Sequence, residues 1–217
     1  MTTATRVPLL GRGYGWAVIV KPYGMRSVPG RGDDAADSIQ TRVLEIFPWA
    51  DGGITPHRLD IETSGLMVVA MTRRVLRGLA RQFEHRKIGK SYEAIVDAEI
   101  EDDRGVIELP LRLDWDNRPR QIVCHRDGRV SKTLWRVLER VDGRTRVEFR
   151  PETGRTHQLR VHAVTPRDEG GLGAPIVGDT LYGDPGSADR MLLHATRLSF
   201  FDPSLGQPMR FRSPTPF

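Results

Sequence analysis

Ile54-Thr55-Pro56-His57-Arg58-Leu59-Asp60-Ile61-Glu62-Thr63-Ser64-Gly65 runs into Leu66-Met67-Val68-Val69-Ala70-Met71 and then into Thr72-Arg73-Arg74-Val75-Leu76-Arg77-Gly78-Leu79-Ala80-Arg81-Gln82-Phe83. The first stretch is polar and rich in turn residues. The second is a short, continuous apolar run, the pattern of a buried central strand. In the third, Thr72 is placed to cap a helix whose apolar positions Leu76, Leu79, Ala80 and Phe83 recur at i, i+3, i+4 and i+7. Polar loop, buried strand and amphipathic helix in that order describe an α/β unit, with a constrained loop at one end of the strand where functional residues tend to sit.

Working outward, residues 16–20 read as a short buried strand stopped by Lys21-Pro22. Residues 28–32 read as a loop. Asp33 or Asp34 is placed to cap a helix carrying Ile39, Val43, Leu44, Ile46 and Phe47 on one face and ending before Pro48. After Gly89 the pattern changes to strands: residues 92–96, 106–109, 121–124, 133–141, 145–149, 193–200 and 209–211, with Gly or Pro between them. From Thr156 two patterns compete. The hydroxyl is placed to cap a short helix through Val164, yet Leu159, Val161 and Ala163 also fit strand alternation, so periodicity leaves both open. Residues 167–173 read as a flexible polar loop. With no repeat, low-complexity tract or linker, the expectation is a lead-in over residues 1–15 and one domain over 16–217. Its fold class is α/β (α+β), built on a mixed, largely antiparallel β-sheet flanked by helices.

The 217 residues carry a formal charge of +5, from 29 Arg and 4 Lys against 28 acidic side chains. That total is uneven. Residues 72–92 hold seven basic side chains against Glu84, and residues 112–160 hold thirteen against seven, a local +6 in each case. Two basic segments on an otherwise acidic chain form the footprint of a polyanion binder, and arginine favours forked contacts to phosphate and stacking on bases. The same charges also fit a solvated surface. No apolar run reaches the roughly 18–20 residues of a membrane span, no signal-peptide pattern opens the chain, and the lone Cys124 excludes a disulfide framework within the chain. The composition reads as a cytoplasmic globular protein.

Most catalytic patterns fail on spacing. His157 and His162 lie five apart with no Glu between them, and the other histidines are scattered, so no metal is expected. Gly11-Arg12-Gly13-Tyr14-Gly15 precedes a strand instead of following one, which argues against a nucleotide-phosphate cradle. No Gly-x-Ser-x-Gly is present, and Cys124 has no evident His–Asn pairing. What remains is carboxylate chemistry at Asp60, in its loop before the buried strand. On the residues alone the favoured reading of Asp60 is the cap of the turn that follows it, while Gly154–Arg160 fits an ordinary helix start and Tyr92 an ordinary strand aromatic.

At these residues the sequence resembles the RluA family of pseudouridine synthases. The resemblance runs through Lys21-Pro22, His57-Arg58-Leu59-Asp60 with Thr63-Ser64-Gly65, Lys90-Ser91-Tyr92 and Gly154-Arg155-Thr156-His157-Gln158-Leu159-Arg160-Val161-His162. It continues in Gly178-Asp179-Thr180-Leu181-Tyr182-Gly183 and Leu192-Leu193-His194-Ala195. It implies an isomerase that breaks the uridine N1–C1′ bond, turns the base and rejoins it through C5, with no cofactor. It implies Asp60 as the catalytic residue, either nucleophile or base, and Arg155 as the cation that keeps Asp60 ionised. Tyr92 would stack on the extruded base and assist loss of the C5 proton. Leu159 would supply an apolar floor, and Arg58 would fill the place of the displaced base. Chemistry on a base requires taking it out of the stack, and the phosphate grip would come from the basic segments, Arg73, Arg77 and Arg81 among them.

Only some fifteen residues precede the first expected strand, too few for the S4 RNA-binding domain of the longer relatives. Residues 27–31 and 114–121 also resemble the short, dual-specificity branch of the family, which acts on a 23S rRNA hairpin and on the anticodon stem-loop of certain tRNAs. The expected partner is therefore RNA of that kind, with no DNA and no membrane, and the protein is expected to be a monomer. The departures are a longer connection over residues 165–175, Ala174 before Pro175, and Val20 where the family typically has Asn. Two other classes compete: a non-catalytic RNA-binding module on the same fold, against which the Asp60, Tyr92 and Arg155 set argues, and an unrelated carboxylate-dependent hydrolase, which lacks a second carboxylate in context.

Overall fold

The computed structural model describes residues 7–30, 37–51 and 54–217. The chain falls into two compact units, Met1–Lys90 with His194–Pro216, and Ser91–Leu193 with Phe217. In chain order the elements are β1 (Leu9–Gly13), β2 (Trp16–Lys21), α1 (Ile39–Ile46), β3 (Ser64–Ala70), α2 (Arg73–Glu84), β4 (Gly89–Val96), β5 (Arg104–Leu113), β6 (Gln121–Val123), β7 (Arg129–Val141), β8 (Arg144–Pro151), α3 (Gln158–Val164), β9 (Leu193–Phe201) and β10 (Pro208–Arg212). Within each unit, among the described residues, the strands pair antiparallel except for β3 with β9, in keeping with the mixed, largely antiparallel α+β class expected.

In the first unit β3 is buried at every position. It lies antiparallel to β2 along its whole length, Trp16↔Ala70 to Lys21↔Gly65, and parallel to β9 only at Ser64↔His194 and Gly65↔Ala195. Gly65 is required there. Its φ is +117°, and a Cβ would lie 2.4 Å from the Ala195 nitrogen, so no other residue fits the approach of the two strands. β1 was not expected, because Leu9 and Leu10 are exposed and glycines interrupt the pattern. It forms by pairing with β2.

The two helices of this unit differ from the sequence expectation in detail. Ser38, not Asp33 or Asp34, caps α1 and forms a capping box with Thr41; Asp33 and Asp34 lie outside the described residues, as do Arg31 and Gly32 of the expected loop. α1 buries Ile39 and Val43, and Phe47 just beyond it, while Ile46 is exposed. Thr72 does cap α2, accepting from the Val75 N–H. That helix buries Val75 and Leu79 and leaves Ala80 in solvent, so its buried stripe is rotated slightly from the one read off the sequence.

The second unit is antiparallel throughout, in the order β4-β8-β7-β5-β6. Ala94, Val96, Ile107, Leu109, Leu111, Trp135, Val147 and Phe149 supply its core. The segment after Thr156 is helical, settling the open reading. The Thr156 hydroxyl does not cap it; the N-cap is His157, at a left-handed φ of 52° with no side-chain cap bond. Six of the seven residues of α3 are buried, which explains why no 3.6-residue stripe was visible. Residues 167–173 form a hydrogen-bonded turn and not a loose loop. The Leu172 N–H donates to the His162 carbonyl, the Gly173 N–H to that of Thr165, and the Leu172 side chain is buried. Among the described residues no helix is long and apolar enough to cross a membrane.

Candidate active site

The loop that carries Arg58 and Asp60 is held on both sides of the carboxylate. The Leu59 N–H donates to Ser27 Oγ at 3.0 Å, and that hydroxyl donates to the Leu59 carbonyl at 2.7 Å. A buried serine thus clamps the residue just before Asp60. Just after it, the Ile61 carbonyl accepts from Lys21 Nζ at 2.9 Å and from the Gly24 N–H at 3.0 Å. Lys21 is fully buried and also donates to the carbonyls of Pro22 and Met25, which accounts for Lys21-Pro22 belonging to the pattern. Buried backbone groups need such partners, and here the partners fix the path of the chain.

Upstream, His57 pins the same loop to β3 and α2. Its Nε2 accepts from the Val68 N–H at 3.1 Å, and its ring stacks on Phe83 at 4.6 Å. The imidazole is therefore neutral, with its proton on Nδ1. Burial, helped by the charge of Lys90, pushes its pKa down to about 3. The Thr63 N–H closes the turn onto the Asp60 carbonyl at 3.1 Å. Asp60 itself is partly exposed and Arg58 exposed. Asp60 caps no helix, and within its own unit, among the described residues, no cation pairs with its carboxylate. The Leu192-Leu193-His194-Ala195 stretch also gains a reason: His194 bonds Ser64 Oγ through Nδ1 at 2.7 Å and Ser213 Oγ through Nε2 at 3.0 Å, tying down the start of β3.

Arg155, Leu159 and Tyr92 stand in the second unit. Tyr92 is half-buried on β4, opposite Phe149. Arg155 is exposed on the strap between β8 and α3, and the organiser of that strap is Gln158. Its Oε1 accepts from the Arg155 N–H at 3.0 Å and from Thr153 Oγ1 at 2.7 Å; its Nε2 donates to the Lys132 carbonyl and to Thr133 Oγ1. The Arg155 side chain is steered by a 3.3 Å bond from Nε to the Val130 carbonyl. Leu159 is buried on α3.

Below the strap, Arg160 and Asp179 form a buried two-pronged ion pair at 2.8 and 2.6 Å. The carboxylate also accepts the N–H groups of Leu181 and Tyr182, as a buried charge pair requires. This sets the Tyr182 hydroxyl 2.8 Å from His157 Nδ1. Gln158, His157 and Tyr182 lie within the sequence motifs, but the sequence assigns them no role; a glutamine at the start of a buried helix is the one signal it offers.

Arg73, Arg77 and Arg81 lie four apart along the exposed side of α2 and enter no salt bridge among the described residues. No three His, Cys, Asp or Glu side chains gather as metal ligands among the described residues.

Residues 15–164 match the RNA pseudouridylate synthase family. The Dual-specificity RNA pseudouridine synthase RluA of Yersinia pestis is 44% identical over 92% of this chain and 95% of its own length. Its namesake from Escherichia coli K12 is 42% identical over 92% of this chain and 89% of its own. The solved structure of Human RNA Pseudouridylate Synthase Domain Containing 1 superposes with a TM-score of 0.80 at 28% identity, covering 100% of this chain and 87% of that one. The loop of Asp60 and the strap of Arg155 both fall inside the matched region, and the chain belongs to the RNA pseudouridylate synthase family, isomerases that act on RNA.

Proposed function

We propose that this chain isomerises uridine to pseudouridine in the loop of an RNA hairpin, the tRNA anticodon stem-loop, a 23S rRNA hairpin, or both, in the cytoplasm and as a monomer. The dual-specificity name of the relatives from Yersinia and Escherichia supports a substrate range wider than one RNA. In this reading Asp60 carries the chemistry. The N1–C1′ bond breaks, a C5–C1′ bond forms, the C5 proton leaves and N1 takes one up, so the reaction balances with no added reagent. Asp60 acts on the sugar as nucleophile or base, Arg155 favours its charged form, and Tyr92 stacks on the base and assists at C5. Leu159 lines the pocket, and Arg58 takes the place left in the RNA stack.

The observation that carries the proposal is the two-sided clamp on Asp60, Ser27 on Leu59 and Lys21 on Ile61, around a carboxylate that stays partly exposed. A structural carboxylate would be expected to spend its oxygens on its own turn, whereas a reacting one is held by its neighbours and left open. The test is tritium release from C5-labelled uridine in anticodon stem-loop and 23S fragments. Asp60→Asn should lower release by roughly 10⁴-fold or more while RNA affinity stays close to the parent's. Turnover retained in Asp60→Asn would reject the role of Asp60, and no release from the parent on either RNA would reject the substrates.

A further inference from the structure

Between β5 and β6 the chain makes a compact loop, Asp114-Trp115-Asp116-Asn117-Arg118-Pro119-Arg120, closed at its base by the Leu113↔Gln121 pair and by the Asp114 N–H donating to the Arg120 carbonyl at 2.9 Å. Inside it the Arg120 N–H donates to the Asn117 carbonyl, and Asn117 Nδ2 donates to the Asp114 carboxylate at 2.9 Å. That bond holds the Asp114 carboxyl below the usual carboxylate range. The loop is thus built by its own hydrogen bonds, and its largest apolar side chain contributes nothing to a core. Trp115 is 63% exposed, and the Arg118 guanidinium lies over its ring at 4.1 Å. An indole backed by a cation and open to solvent is a stacking platform already half assembled.

We propose that Trp115 is a base-stacking platform for an unpaired nucleotide of the RNA hairpin, with Arg118 fixing the ring from behind. The inference rests on the pseudouridine synthase reading and adds a recognition element to it. Two observations favour a base over a phosphate. The loop carries as many acids as arginines, Asp114 and Asp116 against Arg118 and Arg120, so it offers little net charge for a backbone. A flat aromatic face is what a splayed base accepts, and every base has one to offer. The loop is also coupled to the strap of Arg155. The Gln121 N–H donates to the Tyr182 hydroxyl at 2.6 Å, and that hydroxyl meets His157, two residues from Arg155, at 2.8 Å. Arg120 lies toward the Tyr182 ring at 5.2 Å. A nucleotide stacked on Trp115 is therefore registered against the segment that presents Arg155.

The experiment uses the full chain in the Asp60→Asn background, so that binding is read without turnover, with an anticodon stem-loop and a blunt duplex of the same stem. Trp115→Ala should raise the dissociation constant for the stem-loop about tenfold, near the low end of base–aromatic stacking, and leave the duplex unaffected, while Trp115→Phe recovers most of the loss. Stem-loop affinity unchanged in Trp115→Ala, or an equal loss on the duplex, overturns the proposal. A second readout keeps position 115 native. With Trp49, the other exposed tryptophan, changed to Phe, the stem-loop should quench indole emission and the duplex should not; quenching absent with the stem-loop also overturns it. Tritium release by the parent is scored separately, so a stem-loop that quenches Trp115 but is never isomerised sinks the catalytic reading and leaves the platform standing.

Discussion

Two histidines of the family motifs are held neutral, and that makes the protein sensitive to acid. His162 Nε2 meets Ser131 Oγ at 2.7 Å while that hydroxyl donates to the Leu109 carbonyl, so the ring proton sits on Nε2. Among the described residues Nδ1 is buried without a partner. Burial lowers the pKa of His162 to about 4, and that of His57 to about 3. Both folded values lie below the ordinary 6.5, so the unfolded chain takes up the protons first. The stabilisation is whole above about pH 6.5 and falls as pH drops toward 4 and 3. At pH 5 each ring should have withdrawn up to about 2 kcal/mol. Urea unfolding at pH 7.5 and pH 5 measures this, and His162→Gln, which cannot titrate, should remove about half of the dependence. A dependence unchanged in that variant would mean that His162 is not neutral in the fold.

At the scale of an element, α2 does two jobs with opposite sides. Val75 and Leu79 are buried, and Phe83 supports His57; Arg73, Arg77 and Arg81 face solvent, four apart. If that row contacts RNA phosphates, changing all three to Gln should weaken binding and flatten the plot of log K against log salt by roughly 2–3 units, since each phosphate contact contributes about 0.7–0.9. An unchanged slope would identify the row as a solvated face. Helix α2 was legible because one side is apolar and the other charged, which is what a 3.6-residue period detects. Helix α3 was not, because it is buried nearly all round and begins at a left-handed histidine. β1 was missed for a third reason: it is glycine-rich and exposed, and exists through pairing with β2.

For the whole molecule the charge of +5 divides into two +6 segments and an acidic remainder. Association with RNA should therefore be salt-dependent yet local, confined to the basic segments. Sedimentation of the free chain and of its complex with one anticodon stem-loop should give a monomer and a one-to-one complex. A stable dimer in the absence of RNA would contradict the proposed monomer.

The sequence by itself determined the local elements, the buried β3 and the capped α2, and through its family motifs singled out the residues proposed for the chemistry: Asp60 in its loop, Tyr92 on a strand and Arg155 ahead of Gln158. Such features depend on neighbours within a few positions, where periodicity, capping and motif spacing operate. Only the tertiary structure decided how those residues are held. The hydroxyl that clamps Leu59 comes from Ser27, thirty-two residues away. The ring that stacks on His57 comes from α2, and the carbonyl that steers Arg155 from Val130 on β7. Hydrogen bonds and stacking act over a few ångströms whatever the separation along the chain, so these partners are set by strand order and register, which a linear pattern does not contain.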